Sequence, residues 1–369
     1  MRIERRFSVA KLKRRWLLVG LAVALSLVIF GSNSLQVKAA DSQPRKSVKA
    51  VIVTMFEVDN DTGDGPGEFQ YWVEREKLNK VYPLPAAYHD VRTNGKGLIG
   101  IVTGEGTARA GTSIMALGLD PRFDLTKAYW LVAGIAGIDP NDGSLGSAAW
   151  AKWVVDGDLA YEIDAREIPP EWPYGYFAFT TTAPNQEPTE NAGEAYQLNS
   201  SLVDWAYQLT KDITLDDSSE MATYRATYTT FSNAQKPPFV LLGDNMASST
   251  FWHGNLLNGW ANDWLKLWSN GEANFVTTAE EDTGTLQALT NLAKAGKVDL
   301  NRVMVLRTAS NYSMQGTGQT AAESLNHETG ENSYSGFLPS LEAAYKVGST
   351  VIHEIINNWK IYEQTIPGT

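Results

Sequence analysis

Residues 128–159 read AYWLVAGIAGIDPNDGSLGSAAWAKWVVDGDL. Tyr129–Val132 is a continuous apolar run of the kind that forms a strand covered on both faces. It passes into Ala133-Gly134-Ile135-Ala136-Gly137-Ile138-Asp139-Pro140, read as a turn-rich loop with two glycines three apart, and Gly143 and Gly146 follow. A second apolar run, Ser147–Val155, closes on Asp156-Gly157-Asp158. Glycine lets backbone amides approach a ligand closely, and in open α/β sheets ligands sit where strands end. By spacing alone the segment also reads as a tight turn between two core strands.

Outward from this segment, strand and helix signals alternate. Val48–Met55 and Gly97–Val102 are apolar runs, the latter entering Thr103-Gly104-Glu105-Gly106-Thr107 and a helical stretch, Ala108–Leu119. Phe239–Leu242 enters Gly243-Asp244, and Val303–Arg307 enters Thr308-Ala309-Ser310-Asn311. Ala192–Leu209, Thr283–Ala295 and Leu338–Trp359 are helical candidates, and Trp260, Trp264 and Trp268 recur at helical spacing as core residues. The alternation predicts an α/β fold with a mostly parallel sheet and helices on both faces. The proline-rich aromatic segment Ile168–Pro188 reads as a loop covering a site or an interface.

The chain has 369 residues, 43% hydrophobic, enough to bury a large core. It has no cysteine, and its four histidines (His89, His253, His327, His353) show no metal-ligand spacing, so no metal is expected. Asp59-Asn60-Asp61-Thr62-Gly63-Asp64-Gly65 looks like a calcium loop but has Tyr71 near the place of the closing Glu. No G-x-S-x-G occurs. Seven basic residues between Arg2 and Arg15 precede the apolar run Trp16–Phe30, and Val37-Lys38-Ala39-Ala40 suits a cleavage site. Residues 1–40 are therefore expected to be a signal peptide, with residues 41–369 an exported single domain, periplasmic or extracellular. The alternative is an uncleaved anchor, since Trp16–Val37 carries no charge over 22 residues. Without residues 1–40, which hold eight Lys/Arg and one Glu, 23 basic and 41 acidic side chains remain, a net charge of −18. Such a surface repels nucleic acid. After the leader no apolar stretch approaches 18 residues, so the domain is not expected to form a membrane pathway from its own helices.

A strand ending in G-x-A-G, then Asp-Pro, then glycines leading to Gly157-Asp158, resembles the nucleoside phosphorylase and nucleosidase superfamily. With Trp150 and Trp153 it is similar to the purine nucleoside permease family, and the likeness runs in matching order over about residues 48–315. The resemblance implies a phosphorylase/hydrolase-like three-layer fold, its central mixed and mostly parallel sheet flanked by helices. It also implies a purine nucleoside ligand, a role in uptake or salvage, and N-ribosyl hydrolysis or phosphorolysis without a cofactor, phosphate entering only as co-substrate. The alternative is a non-catalytic exported component that hands nucleoside to a separate membrane transporter. Superfamily members often pair subunits across the site, which makes a homo-oligomer an expectation.

Residue by residue, the resemblance makes Glu57 the water-activating base, with Asp59 as the alternative. Thr103 and Gly104 match a T-G-x-G segment that contacts ribose or phosphate, while Glu105 within it would oppose a phosphate dianion; Arg92 and Arg109 are the nearby cations. Ala136 and Gly137 line the strand end. Asp244, Asn245 and Trp252, with Phe251, would meet the base, and His253 would donate a proton. Glu281 and Asp282 would hold the ribose hydroxyls, with Glu280 where the superfamily has Met. Asn311 stands where an Asp protonates purine N7; Asn can hydrogen-bond N7 but supplies no proton.

Overall fold

A computed structural model describes residues 44–329 and 336–369; the expected signal peptide lies outside the described residues. The strands that carry the site are β1 (Ala50–Thr54), β2 (Lys80–Tyr82), β3 (Val91–Thr93), β4 (Leu98–Val102), β5 (Tyr129–Ile138), β6 (Ala148–Ala151), β7 (Trp153–Asp156), β8 (Ala195–Gln197), β9 (Val240–Leu242), β10 (Asp244–Ala247), β11 (Phe275–Ala279) and β12 (Val303–Tyr312). They form one sheet in the order β8-β7-β10-β11-β5-β1-β4-β3-β2, with β12 also on β5, β6 on β12 and β9 on β6. The sheet is mixed. β1 is parallel to β4 and β5, β5 to β12, and β10 to β7 and β11, whereas β11 meets β5 antiparallel and β6 meets β12 antiparallel.

Helices α1 (Gln70–Arg75), α2 (Thr107–Gly118), α3 (Ser200–Thr210), α4 (Asn255–Trp268), α5 (Asp282–Lys294), α6 (Ala321–Thr329) and α7 (Phe337–Asn357) flank it. Val51–Val53, Trp130–Val132 and Val303–Leu306 are fully buried, which is why these strands read as unbroken apolar runs rather than alternating ones. Trp260, Trp264 and Trp268 pack along α4 as one buried row. Among the described residues no helix is long and apolar enough to cross a membrane.

The structure corrects several sequence expectations. Ala133–Ile138 is not a loop but the second half of β5, and Thr308–Tyr312 continues β12; each supplies the other's ladder partners from Val303–Trp130 to Tyr312–Ile138, so small residues stay extended. Ser147–Val155 is two strands: β6 pairs with β12, and after Lys152 β7 pairs with β10. Asp244–Ala247 is a strand, and β11 gives no strong sequence signal because two threonines interrupt its apolar run. Ala192–Leu209 is a short strand, β8, followed by α3, whose true start is set by Asn199 accepting from the Leu202 amide at 3.4 Å.

The two edges of β5 are paired differently. Along one edge β5 pairs with β12 throughout. Along the other it pairs with β1 over Tyr129–Val132 and with β11 only at Gly137 and Ile138. Among the described residues, Ala133–Ala136 have no strand neighbour on that edge, so the sheet opens there between β1 and β11. A reversal of neighbours at strand ends is where open α/β sheets bind ligands.

Candidate functional site

The opened edge leaves ladder groups that need partners. The Ile135 amide donates to Glu68 Oε1 and the Met55 amide, just past β1, donates to Glu68 Oε2, both at 2.7 Å. The Ile135 carbonyl accepts from Arg307 Nη1 at 2.9 Å. A carboxylate and a guanidinium thus stand in for the missing strand. Gly134 makes room for them: a Cβ there would collide with Met55 and Glu68 and lie 2.8 Å from Arg307 Nη1.

Arg307 is 1% exposed and needs its charge answered. Its Nη2 lies 3.0 Å from Glu281 Oε2 and 2.9 Å from Asp282 Oδ2, and Nε donates to Asp282 Oδ2 at 3.0 Å. Asn245 Nδ2 donates to the same Asp282 oxygen at 2.7 Å, and Thr277 donates to Asn245 Oδ1 at 3.0 Å. The network is satisfied throughout, as a buried polar network must be to hold one geometry.

Above it lies a cavity of about 280 Å³, near the lower end of small-molecule sites. Its wall is β5 (Ile135, Ala136, Gly137) and β12 (Arg307, Ser310, Asn311); its acids are Glu68, Glu105, Glu280 and Glu281; its aromatic faces are Phe56, Phe251 and Phe337. Phe56 and Phe337 stack with centroids 6.2 Å apart. A bulge at Ser310 shifts the register between Ala309 and Asn311 and turns both polar side chains to this place. Ser310 Oγ donates to Asn311 Oδ1 at 2.9 Å and Asn311 Nδ2 donates to the Tyr312 carbonyl at 3.0 Å. That carbonyl only accepts, which fixes the amide orientation and leaves the second N–H of Asn311 for a ligand.

Crowded acids shift one another. Burial pushes Glu68 up to about 8, against the pull of Arg307 and with the push of Glu281. Burial, then the charges of Glu281 and Glu105, push Glu280 up to about 7. Burial also raises Glu281, although Arg307 opposes it. For Arg307, burial works against the charge, but Asp282, Glu281 and Glu68 outweigh it and its pKa is raised.

A model of the purine nucleoside permease family matches residues 47–367. The chain belongs to the purine nucleoside permease family. A purine nucleoside permease of Candida albicans is 36% identical over 323 residues, 85% of this chain and 77% of that one. A probable purine nucleoside permease of Schizosaccharomyces pombe is 32% identical over 300 residues, 77% of this chain and 82% of that one. Among solved structures, the futalosine hydrolase of Helicobacter pylori superposes with a TM-score of 0.50 at 14% identity, covering 83% of this chain and 98% of its own. The 5′-methylthioadenosine/S-adenosylhomocysteine nucleosidase of the same organism gives 0.50 at 13%, covering 85% and 100%. At that identity the likeness shows the fold, a nucleosidase-like mixed α/β sheet flanked by helices.

Within this permease-family fold, Ala136, Gly137, Glu281 and Asn311 line the cavity together, with Glu105, Phe251 and Glu280. Asp282 and Asn245 lie behind it in the Arg307 network. Glu57 does not line it. Its carboxylate accepts from the backbone amides of Val58 (2.9 Å), Gly67, Phe69 (2.8 Å) and Gln70 (2.6 Å), anchoring the start of α1, and Glu68 occupies the position expected of it. Asp59 is exposed in the acidic loop. His253 also stands apart: Nε2 meets Ser324 Oγ at 2.9 Å, and burial pushes the ring down to about 4, so it carries no proton to give near neutrality.

The other expected contacts also fall elsewhere. Asp244 ties β10 to its neighbours through the amides of Lys152, Trp153 and Asn274. Trp252 lines a separate cleft with Tyr176 and Trp260; Tyr176 is the part of Ile168–Pro188 that reaches it. Thr103 bonds the Thr54 carbonyl at 3.3 Å, and Gly104 turns at φ 83°. Arg92 pairs with Asp61 at 2.5 Å, and Arg109 lies over the Tyr88 ring. Sequence reasoning missed Glu68 and the role of Arg307. For Arg307 a signal existed: a cation inside a strand as apolar as Val-Met-Val-Leu requires a buried carboxylate.

Proposed function

We propose that the cavity binds a purine nucleoside and hydrolyses its N-ribosyl bond, serving nucleoside uptake or salvage in an exported protein. The observation that carries this reading is the buried acid set at the sheet opening, Glu281 paired with Arg307 and Glu68 on the Met55 and Ile135 amides within the field of the same guanidinium. Glu281, held by Arg307 through one oxygen, offers the other to a ribose diol. A carboxylate there also favours the positive charge that develops on the sugar as the N-glycosidic bond breaks. Each Glu68 oxygen accepts one backbone amide and keeps a lone pair toward the cavity, so Glu68 can take a proton from an attacking water. Burial pushes its carboxyl up to about 8, so its action as a base is expected to strengthen as pH rises toward that value. The aromatic faces, Phe251 above all, suit a purine ring, and the free N–H of Asn311 suits an acceptor on it.

Water rather than phosphate is the favoured nucleophile, because Arg307 is the only basic lining residue among the described ones and Asp282 and Glu281 already claim it. One observation favours a non-catalytic binder that passes ligand to a transporter: Asn311 cannot protonate a leaving base. Incubation with inosine, guanosine and adenosine, with and without phosphate, separates the readings. Free base without phosphate is expected. Release only with phosphate would make the protein a phosphorylase, and binding with no release would leave the binder.

A further inference from the structure

We propose that Glu280, just past β11, is the catalytic acid that hands its proton to the departing purine. The inference rests on the nucleoside hydrolysis read above and supplies the donor that Asn311 cannot be. Four carboxyls line the cavity: Glu68, Glu105, Glu280 and Glu281. Three of them are unsuited to the task. Glu68 accepts a backbone amide on each oxygen, which holds it as an acceptor. Glu281 is paired with Arg307 through one oxygen, and the other accepts from the Gly106 amide at 3.5 Å. Glu105 is exposed, where water solvates its charge. Glu280 is half-buried, and its carboxyl enters no hydrogen bond or ion pair among the described residues. Only its backbone amide is engaged, donating to Glu281 Oε2 at 3.3 Å.

Its surroundings keep a proton on it. Burial acts first, then the charges of Glu281, Glu105 and Asp158, against the pull of Arg307, and together they push it up to about 7. It also borders the place proposed for the base. A Cβ on Gly137 would lie 3.1 Å from Thr278 Cγ2 and 3.2 Å from Asn311 Nδ2, so β11 and β12 side chains meet there. Glu280 follows Thr278 by two residues, and both line the cavity with Asn311. A purine has two acceptor nitrogens, N3 and N7, flanking the glycosidic nitrogen; the Asn311 N–H takes one and Glu280 protonates the other. In this step the C1′–N9 bond breaks and its electron pair goes to the base. The Glu280 proton neutralises the base at the ring nitrogen. The water oxygen bonds to C1′, Glu68 takes the water's proton, and solvent then restores both carboxyls.

Steady-state hydrolysis of inosine by the full chain across the pH range tests this. In the wild type, kcat should rise to about pH 7, stay level to about pH 8 and fall above it. Past that point Glu68 is already charged, and only the Glu280 proton is still being lost. Glu280→Gln should lower kcat at pH 7 by about a hundredfold, change KM by less than about threefold, and remove the falling limb. Glu280→Asp keeps a carboxyl and should retain that limb. A p-nitrophenyl riboside, whose phenolate leaves without a proton, should lose less than about tenfold in Glu280→Gln, which also shows that variant to be folded. A loss on inosine below about tenfold, equal losses on the two substrates, or a falling limb that persists in Glu280→Gln overturns the proposal and leaves hydrolysis standing. Absence of base release by the wild type would instead remove the hydrolysis reading, and this inference with it.

Discussion

Replacing Arg307 with Met removes the one cation that two buried carboxylates share. Both partners lie within 3.0 Å of its Nη2, and neither has more than 5% of its side chain exposed. Breaking a buried ion pair from one side costs about 3–5 kcal/mol, because the stranded charge cannot regain its water. The Ile135 carbonyl also loses its donor, adding about 1–2 kcal/mol. At pH 8 the loss should therefore be about 4–7 kcal/mol, a large part of the 5–15 kcal/mol typical of a folded domain. At pH 5.5 it should fall to about half. Arg307 is what pulls Glu68 and Glu281 down, so without it both bind protons more readily and the acid cluster neutralises itself. Urea unfolding followed by tryptophan fluorescence at the two pH values gives the answer, provided the denaturant slope is unchanged. A loss below about 1 kcal/mol, or one equal at both pH values, would refute the picture of a charge-locked sheet opening.

Three further outcomes are expected. Gly134→Ala drives a methyl into Met55, Glu68 and Arg307 and should cost about 2–4 kcal/mol by scanning calorimetry, whereas wild-type stability would mean the opening is not packed as described. Asn311→Asp supplies the missing proton donor and should raise base release at least about tenfold below pH 6; no gain would place Asn311 away from the base. Glu328 is buried and accepts from Tyr224 at 2.6 Å, and burial pushes it up to about 7. The folded state then holds its proton more tightly than the unfolded chain, so its contribution is full below pH 4.5 and is lost as pH rises to 7. That gives a slope of about 1.4 kcal/mol per pH unit, which Glu328→Gln should remove from the stability profile.

The parts of this fold that the sequence announces are those whose physics is local. Val51–Val53, Leu98–Val102 and Val303–Leu306 are covered on both faces, and their unbroken apolar runs say so. Gly134 and Gly137 mark the site because backbone and side chains crowd there. What stayed hidden depends on pairing at long range. Ala133–Ile138 looks like a loop until β12 lies beside it, and β12 begins more than 160 residues downstream. Glu68 and Glu57 stand in the same acidic stretch, and only the tertiary fold decides that four backbone amides claim Glu57 while Glu68 reaches the opening. His253 and Trp252 follow a plausible site motif, yet burial against Ser324 and Trp260 takes them elsewhere.

A nucleoside is proposed to occupy the opening between β1 and β11. A crystal structure of the chain with bound inosine tests it directly. The ribose hydroxyls are expected on the carboxylate of Glu281, the base against Phe251 and within reach of the Asn311 amide, and Glu68 on the side where water attacks. Inosine seated in the Trp252–Trp260 cleft, with the acidic cavity empty, would contradict it.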